Sequence, residues 1–389
     1  MESEERTAYI SEKFAAYFGG QPEFWSRAPG RVDLMGSHTD YNLGYVMTMT
    51  ISQDTWIAAR PRADRQVRIR SLNLEGESRF HLDEIKHDQR VFWSNYVRGM
   101  AYVIQQAGYG LQGFDGLIHS TVPFGSGLSS SAAIEMATAV TCQQVGNFTL
   151  DPVEMARLGQ RAENDFVGVS TGILDQFSSA LGKAGCALQL DCRDLSYQTS
   201  QIAPTLHVVI CDTRANRSLV GSEYDDRRQQ CAAGVSLLQK AHPEVRALRD
   251  VSRDQFLAHE AEMPAVIARR CRFIIEENQR VLDLALPLST GDANALKQLF
   301  TDSYRGARDL FEIGSPVMET MMQAMLAGPG IVAARQAGAG FGGCMVALVE
   351  KNCVEAFTHH VSLTYKRSAN IEPRIFEVVA SPGAGPLQM

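Results

Sequence analysis

The chain has 389 residues, 45% of them hydrophobic and 21% charged, with 37 Lys+Arg against 44 Asp+Glu for a net charge of −7. This is the composition of an ordinary globular protein of about two domains. It excludes a disordered chain and a broad positive surface for a nucleic-acid backbone. The opening Met-Glu-Ser-Glu-Glu-Arg is acidic where a secretory signal begins basic, and no stretch reaches the ~18 apolar residues of a membrane span. Eight cysteines show neither C-x-x-C nor zinc spacing and fall mostly in apolar runs, so buried reduced thiols in a cytoplasmic protein are expected.

Residues 5–18 read as an amphipathic helix. The stretch 28–42, A-P-G-R-V-D-L-M-G-S-H-T-D-Y-N, crowds Ser37, His38, Asp40 and Asn42 onto one short loop between apolar strands. Those side chains suit a polyhydroxyl ligand, although such residues are also ordinary turn formers. Strands are predicted at 45–52, 55–60 and 67–71, a helix at 95–106, and a strand at 115–122.

A second glycine-rich stretch, P-F-G-S-G-L-S-S-S-A-A at 123–133, follows that strand and opens a helix predicted over 128–145. Small residues before a helix N-terminus make a phosphate cradle. The missing G-K-[ST] rules out a Walker A loop. Asp151-Pro152-Val153-Glu154 begins a further helix running to about 164. Apolar strands at 187–192 and 206–212 bracket a polar segment with Pro204, the expected domain junction, giving domains 1–200 and 201–389. Beyond it the pattern is mostly helical, with strands at 345–350 and 374–380. Strands and helices out of strict alternation indicate an α+β fold.

The third glycine-rich stretch, G-A-G-F-G-G at 338–343, matches G-x-G-x-x-G literally. A dinucleotide site needs a strand before it and a helix after. Here Ile331–Gln336 reads as helical and a strand follows, so a loop packed close to another backbone or a ligand is expected instead. His87, His119, His207, His242 and His259 form no metal spacing and, with His359-His360 on a surface helix, read as structural. Periodicity reads Asp175 and Glu163 as solvated acids on helix surfaces and Trp93 as core.

Taken together and in this order, the three stretches resemble the GHMP family of small-molecule kinases, and within it the galactokinases. The run G-R-V-D-L-M-G-S-H-T-D-Y-N resembles the group's G-R-V-N-L-I-G-E-H-T-D-Y-N signature; residues 125–132 resemble its phosphate loop and 338–344 its third motif. Residues 172–177, G-I-L-D-Q-F, resemble the segment with the catalytic Asp, and Ser222-Glu223-Tyr224 the segment with a sugar-contacting Tyr. The likeness runs from about 25 to 382.

It implies a two-domain GHMP kinase-like α+β fold, with a ribosomal-protein-S5-like first domain, a ferredoxin-like second, and the active site between them. It implies ATP and Mg²⁺ as cofactors, a small sugar as the other partner, and no nucleic acid or membrane; a monomer or weak homo-oligomer is expected. Asp175 is implied as the base at the anomeric hydroxyl. Arg31 keeps it ionised and neutralises the transferring phosphoryl group. Ser131 and Glu163 are implied at Mg²⁺, and Gly125, Ser126, Gly127, Leu128, Ser129, Ser130 and Ser131 at the phosphates. Ser71 and Trp93 are implied at the nucleotide, and Ser37, His38, Asp40, Gly172 and Tyr224 around the sugar.

The pattern breaks at Ser37, where galactokinases carry a Glu that contacts the sugar near C6. It also breaks at Asp33 for Asn and Leu43 for Gly. Losing that Glu weakens the hold on a primary alcohol, and related kinases of galacturonate or L-arabinose also lack it. Galactose is the first expectation, and a silent sugar and ATP sensor the alternative from another class.

Overall fold

The computed structural model describes residues 3–169, 171–215 and 220–387. Its first sheet contains β1 (Phe24–Met35), β2 (Tyr45–Arg62), β3 (Gln66–Ser71), β4 (Glu77–His81), β5 (Gly113–Ser120), β6 (Cys186–Asp191) and β7 (Tyr197–Gln201). The second contains β8 (Leu206–Asp212), β9 (Ile331–Gln336), β10 (Cys344–Glu350) and β11 (Arg374–Val378). The short β12 (Gly385–Pro386) returns to the first sheet beside β1. The first sheet runs β12-β1-β2-β5-β3-β4, with β6 and β7 continuing from the other end of the long β2; the second runs β11-β8-β10-β9. Among the described residues only β3 and β5 pair in parallel.

Helices α1 (Ser3–Phe18), α2 (Ser94–Gln106), α3 (Ser130–Gly146), α4 (Pro152–Arg161) and α5 (Leu174–Leu181) cover the first sheet. Around the second lie α6 (Val220–Leu238), α7 (Arg253–His259), α8 (Ala265–Thr290), α9 (Ala293–Arg305), α10 (Pro316–Leu326) and α11 (Val354–Ala369). In α1, Arg6, Ile10 and Phe14 recur every four residues and form its buried stripe. The chain changes sheet between Gln201 and Leu206, at Pro204. One apolar cluster joins Val32, Met47 and Ile51 of the first sheet to Val208, Ile210 and Val346 of the second, with Val281 and Phe300 closing it. The sheets therefore meet across a dry layer, and the loops at its rim are held from both sides.

One predicted element differs in kind. Ile331–Gln336 is a strand, not a helix, paired antiparallel to β10 with Met345 opposite Gln336. Its Ala-Ala-Arg-Gln run carries helix propensity, but six residues bounded by turns gain more from a ladder to β10 and two buried faces than from local preference. The third glycine-rich stretch is thus a strand-to-strand connection. The helix after Asp151 also stops early, at Arg161, where residues 162–167 form a π-helical turn.

Candidate active site

At the rim of the dry layer a cavity of about 500 Å³ opens between the end of β1, the 36–44 loop, the start of α5, the first turns of α6 and the 338–343 loop. Arg31, Ser37, His38, Asp40, Gly172, Asp175 and Tyr224 all line it. All seven come from three stretches far apart in sequence, and the fold brings them together.

Asp175 sits in the first turn of α5, where the helix dipole favours a carboxylate. Arg31 grips its Oδ1 with Nε at 2.8 Å and also with Nη2, and donates Nη1 to the Gly127 carbonyl at 2.6 Å. Oδ2 accepts the Ser129 hydroxyl at 2.6 Å. One guanidinium therefore ties the carboxylate to the glycine loop. The Asp175 side chain remains 26% exposed against 8% for Arg31, so the pair faces the cavity instead of being sealed.

Gly30 makes this approach possible. A Cβ there would lie 2.5 Å from the Leu128 carbonyl, and the next residue, Arg31, donates its N–H to that carbonyl at 3.1 Å. The loop itself uses positive φ at Gly125, Gly127 and Ser129. Ser129 precedes α3 without capping it, since its hydroxyl is turned to Asp175. The first N–H groups of this 17-residue helix are thus left to an anionic ligand. Ser126 folds its hydroxyl back to the Pro123 carbonyl at 2.8 Å, and the Leu128 side chain is in the core, so both residues contribute mainly backbone to the loop surface.

Beyond the loop a narrow cleft of about 100 Å³ is lined by Ser71, Trp93, Tyr96, Phe124, Ser130 and Ser131. Trp93 is half-buried and donates Nε1 to the Glu75 carbonyl at 3.0 Å, which fixes its ring as a wall. Ser71 Oγ accepts from the N–H groups of Asn73 and Leu74 and shapes the adjoining turn. Trp93 thus serves the cleft as well as the core.

Glu163 is 4% exposed, not solvated as its periodicity suggests, because the π-helical turn swings it inward. Its Oε2 accepts from Gln176 at 2.7 Å and Thr171 at 3.0 Å. Burial and the charge of Asp175 both push its carboxyl up, while hydrogen bonds from Thr171, Gln176 and Ser131 pull it down. Two acids that repel one another beside serine hydroxyls and a phosphate-type loop fit a hard divalent cation, which takes few protein oxygens and leaves the rest to water and phosphate. Among the described residues no trio of His, Cys, Asp or Glu forms a self-sufficient metal cage.

In the half of the cavity lined by the 36–44 loop, burial pushes the Asp40 carboxyl up to about 6; a hydrogen bond from the Tyr41 backbone opposes this, and the charges of Asp175 and Asp33 add to it. Gly172 leaves room for Asp40 here, since a Cβ would lie 1.9 Å from Asp40 Oδ2 and push that carboxylate aside. His38 spends both ring nitrogens on neighbours, Nδ1 with Tyr41 Oη at 2.9 Å and Nε2 with the Ala339 carbonyl at 3.0 Å. Burial lowers its pKa to about 4. It stays neutral and clasps the third glycine loop, an arrangement suited to shaping the pocket. The Tyr224 ring packs on His38 with centroids 5.3 Å apart.

Sequence reasoning missed Gln176 and Thr171, which hold Glu163, and Arg335, which reaches Ser37 from β9. An arginine inside an otherwise apolar run was the signal available for the last. A larger groove of about 970 Å³ lies elsewhere, beside α8; its Arg249 and Arg280 are already matched by Asp191 and Glu277.

Comparison with known proteins identifies the family. Residues 12–61 match the family model described as the galactokinase galactose-binding signature, and residues 95–183 that of the GHMP kinases N-terminal domain. The chain is 42% identical to a galactokinase from Roseiflexus sp. (strain RS-1) over 97% of both chains. It is 41% identical to one from Chloroflexus aggregans (strain MD-66 / DSM 9485) over 97% of this chain and 96% of that one. Among solved structures, a Lactococcus lactis galactokinase complexed with galactose superposes with a TM-score of 0.92 at 32% identity, covering 98% of this chain and 99% of the other. A mevalonate kinase at 17% identity and TM-score 0.62 shares the fold. The chain belongs to the galactokinase family of GHMP kinases.

Proposed function

We infer that the chain is an ATP-dependent galactokinase, transferring the γ-phosphoryl group of ATP to the anomeric C1 hydroxyl of galactose to give galactose 1-phosphate and ADP. The observation that carries this reading is the Asp175–Arg31 pair at the junction of a polar pocket and a glycine loop that opens a helix.

Phosphoryl transfer asks mainly for positioning and charge stabilisation. Arg31 occupies Asp175 Oδ1, which leaves Oδ2 as the oxygen to take the C1 hydroxyl proton once the Ser129 hydroxyl turns toward phosphate. Arg31, held between Asp175 and the Gly127 carbonyl, presents its charge where the γ-phosphoryl passes. Residues 125–131 cradle the phosphates, Trp93 and Ser71 border the base and ribose, and Asp40, His38, Gly172 and Tyr224 surround the sugar. Ser131 and Glu163 would hold Mg²⁺, which would neutralise phosphate charge. The buried free thiols suit a cytoplasmic setting.

ADP release that requires both galactose and Mg²⁺ tests the reading, with galacturonate, L-arabinose and N-acetylgalactosamine as the panel. Galactose leads in kcat/KM if it is correct. A lead for galacturonate or L-arabinose replaces the substrate, and sugar binding without turnover replaces the enzyme by a sensor.

A further inference from the structure

One buried acid next to the site has no part in the transfer chemistry. Glu135 lies on α3 one turn beyond Ser131, and both it and Gln176 of α5 are fully buried. Gln176 Nε2 donates to Glu135 Oε2 at 3.0 Å and to Glu163 Oε2 at 2.7 Å. One amide therefore joins two carboxyl groups, one from α3 and one from the π-helical turn. Gly159 of α4 makes the room, since a Cβ there would lie 2.4 Å from Met136 Cε and 2.9 Å from Gln176 Cγ.

Two atoms are left over. Glu135 Oε1 and Gln176 Oε1 are both sealed from solvent, and neither has a hydrogen-bond partner among the described residues. Both protons of the Gln176 amide are already spent on Glu135 and Glu163. A carboxylate at Glu135 would thus leave two acceptors buried with no donor for either, a costly state. A carboxylic acid removes both faults with one proton. Its O–H donates from Oε1 to the amide carbonyl, while Oε2 goes on accepting from the amide nitrogen, which closes a ring of two hydrogen bonds. Burial and the charges of Glu163 and Asp175 push the Glu135 carboxyl well up from its ordinary range, against the pull of the Gln176 hydrogen bond.

We propose that Glu135 is a positioning residue held as a neutral acid, which pairs edge to edge with the Gln176 amide and so keeps Gln176 Nε2 aimed at Glu163, the ionised acid of the metal site. The proton is a fixed part of this structure. It removes a negative charge from beside Glu163, which can then stay charged and keep its other lone pairs for a cation. Without the ring the Gln176 amide is held by one side only, and a reversed amide turns a carbonyl oxygen toward Glu163.

This inference rests on the Glu163 metal site of the function proposed above. The test uses the full chain, with Mn²⁺ as the probe, titrated in the presence of ADP and followed by electron paramagnetic resonance. A second arm takes the infrared difference spectrum between the parent and Glu135→Gln at neutral pH. Glutamine is the isostere of the neutral acid and can close the same ring. Glu135→Gln should hold Mn²⁺ within about 2-fold of the parent, whereas Glu135→Leu should weaken it about 10-fold or more, as loss of an outer partner does. The infrared difference should contain the C=O band of a buried carboxylic acid, present in the parent and lost in Glu135→Gln. This second arm stands even where Glu135→Leu does not fold. A carboxylate band in its place, or Mn²⁺ affinity that is the same in the two variants, overturns the inference and spares the galactokinase reading. If Glu163→Gln binds Mn²⁺ as the parent does, the metal site itself is misplaced and the inference falls with it.

Discussion

Arg27 and Arg31 lie on the same strand, β1, and each grips an aspartate from elsewhere in the chain, yet the two pairs have different surroundings. Asp54, held by Arg27, is closed on every side. Its Oδ1 takes Arg6 from α1, and its Oδ2 takes Arg27 Nε at 3.0 Å and Trp56 Nε1 at 2.9 Å, with its side chain 9% exposed. Asp175, held by Arg31, keeps one oxygen on a hydroxyl that can rotate away, and its side chain is 26% exposed on a cavity. An arginine–carboxylate pair is therefore no mark of a working site. The mark is a carboxylate with a replaceable partner and an open side.

The comparison breaks most sharply at Asp175→Ala. Turnover should fall on the order of 10³-fold or more, with ATP affinity and thermal stability close to the parent. Near-normal turnover in that variant would remove Asp175 from the chemistry. Asp54→Ala should do the converse. It leaves Arg6 and Arg27 buried beside no carboxylate, at a cost of about 3–5 kcal/mol in urea unfolding, while kcat per folded molecule holds. A loss below about 1 kcal/mol would show that the closed pair is dispensable.

Ser129→Ala is the intermediate case. It frees Asp175 Oδ2 but removes the hydroxyl that turns toward phosphate, and should lower kcat about 10-fold, one hydrogen bond's worth, without unfolding the protein. An unchanged kcat would mean that the Ser129 hydroxyl does not serve the phosphate.

The smallest effect concerns Asp40, whose carboxyl burial raises to about 6. A raised acid favours the folded state fully only below its unfolded pKa, and that contribution is lost as pH climbs through 6. Sugar binding needs the opposite, an ionised acceptor. Hence kcat/KM for galactose should fall as pH drops below about 6, and Asp40→Asn should abolish this acid limb. A limb of the same midpoint in Asp40→Asn would assign it to another group.

Much of this was legible in the residues. The order strand, glycine loop, helix at 115–145 follows from local pattern, and so does a dense polar loop at 36–42. What was not legible depends on contacts between distant segments. Glu163 reads as solvated because periodicity assumes that the α-helix continues, and a π-helical turn at 162–167 changes its direction. Ile331–Gln336 reads as helix because its ladder partner, β10, lies beyond a loop. Arg335 reaches both Ser37 and Glu277, and nothing near Ser37 in sequence announces an arginine arriving from β9. Buried charges escape pattern reading for this general reason, since their partners come from the fold.

β1 carries, in order, the Arg27 of the closed pair, the Arg31 of the open one, then Asp33 and the loop with Ser37 and Asp40. Irregular register on β2 falls between Pro29 and Arg31 and again between Asp33 and Met35, so the working segment is bracketed by bulges that can absorb local change. In evolutionary terms the strand is modular. On the proposed function, its inner end anchors the scaffold, its middle serves the phosphoryl donor, and its outer end meets the sugar. Substitutions at the outer end can drift toward a new acceptor while the donor half stays fixed, and a graft spanning Asp33 to Asn42 should carry acceptor preference with it into a related kinase.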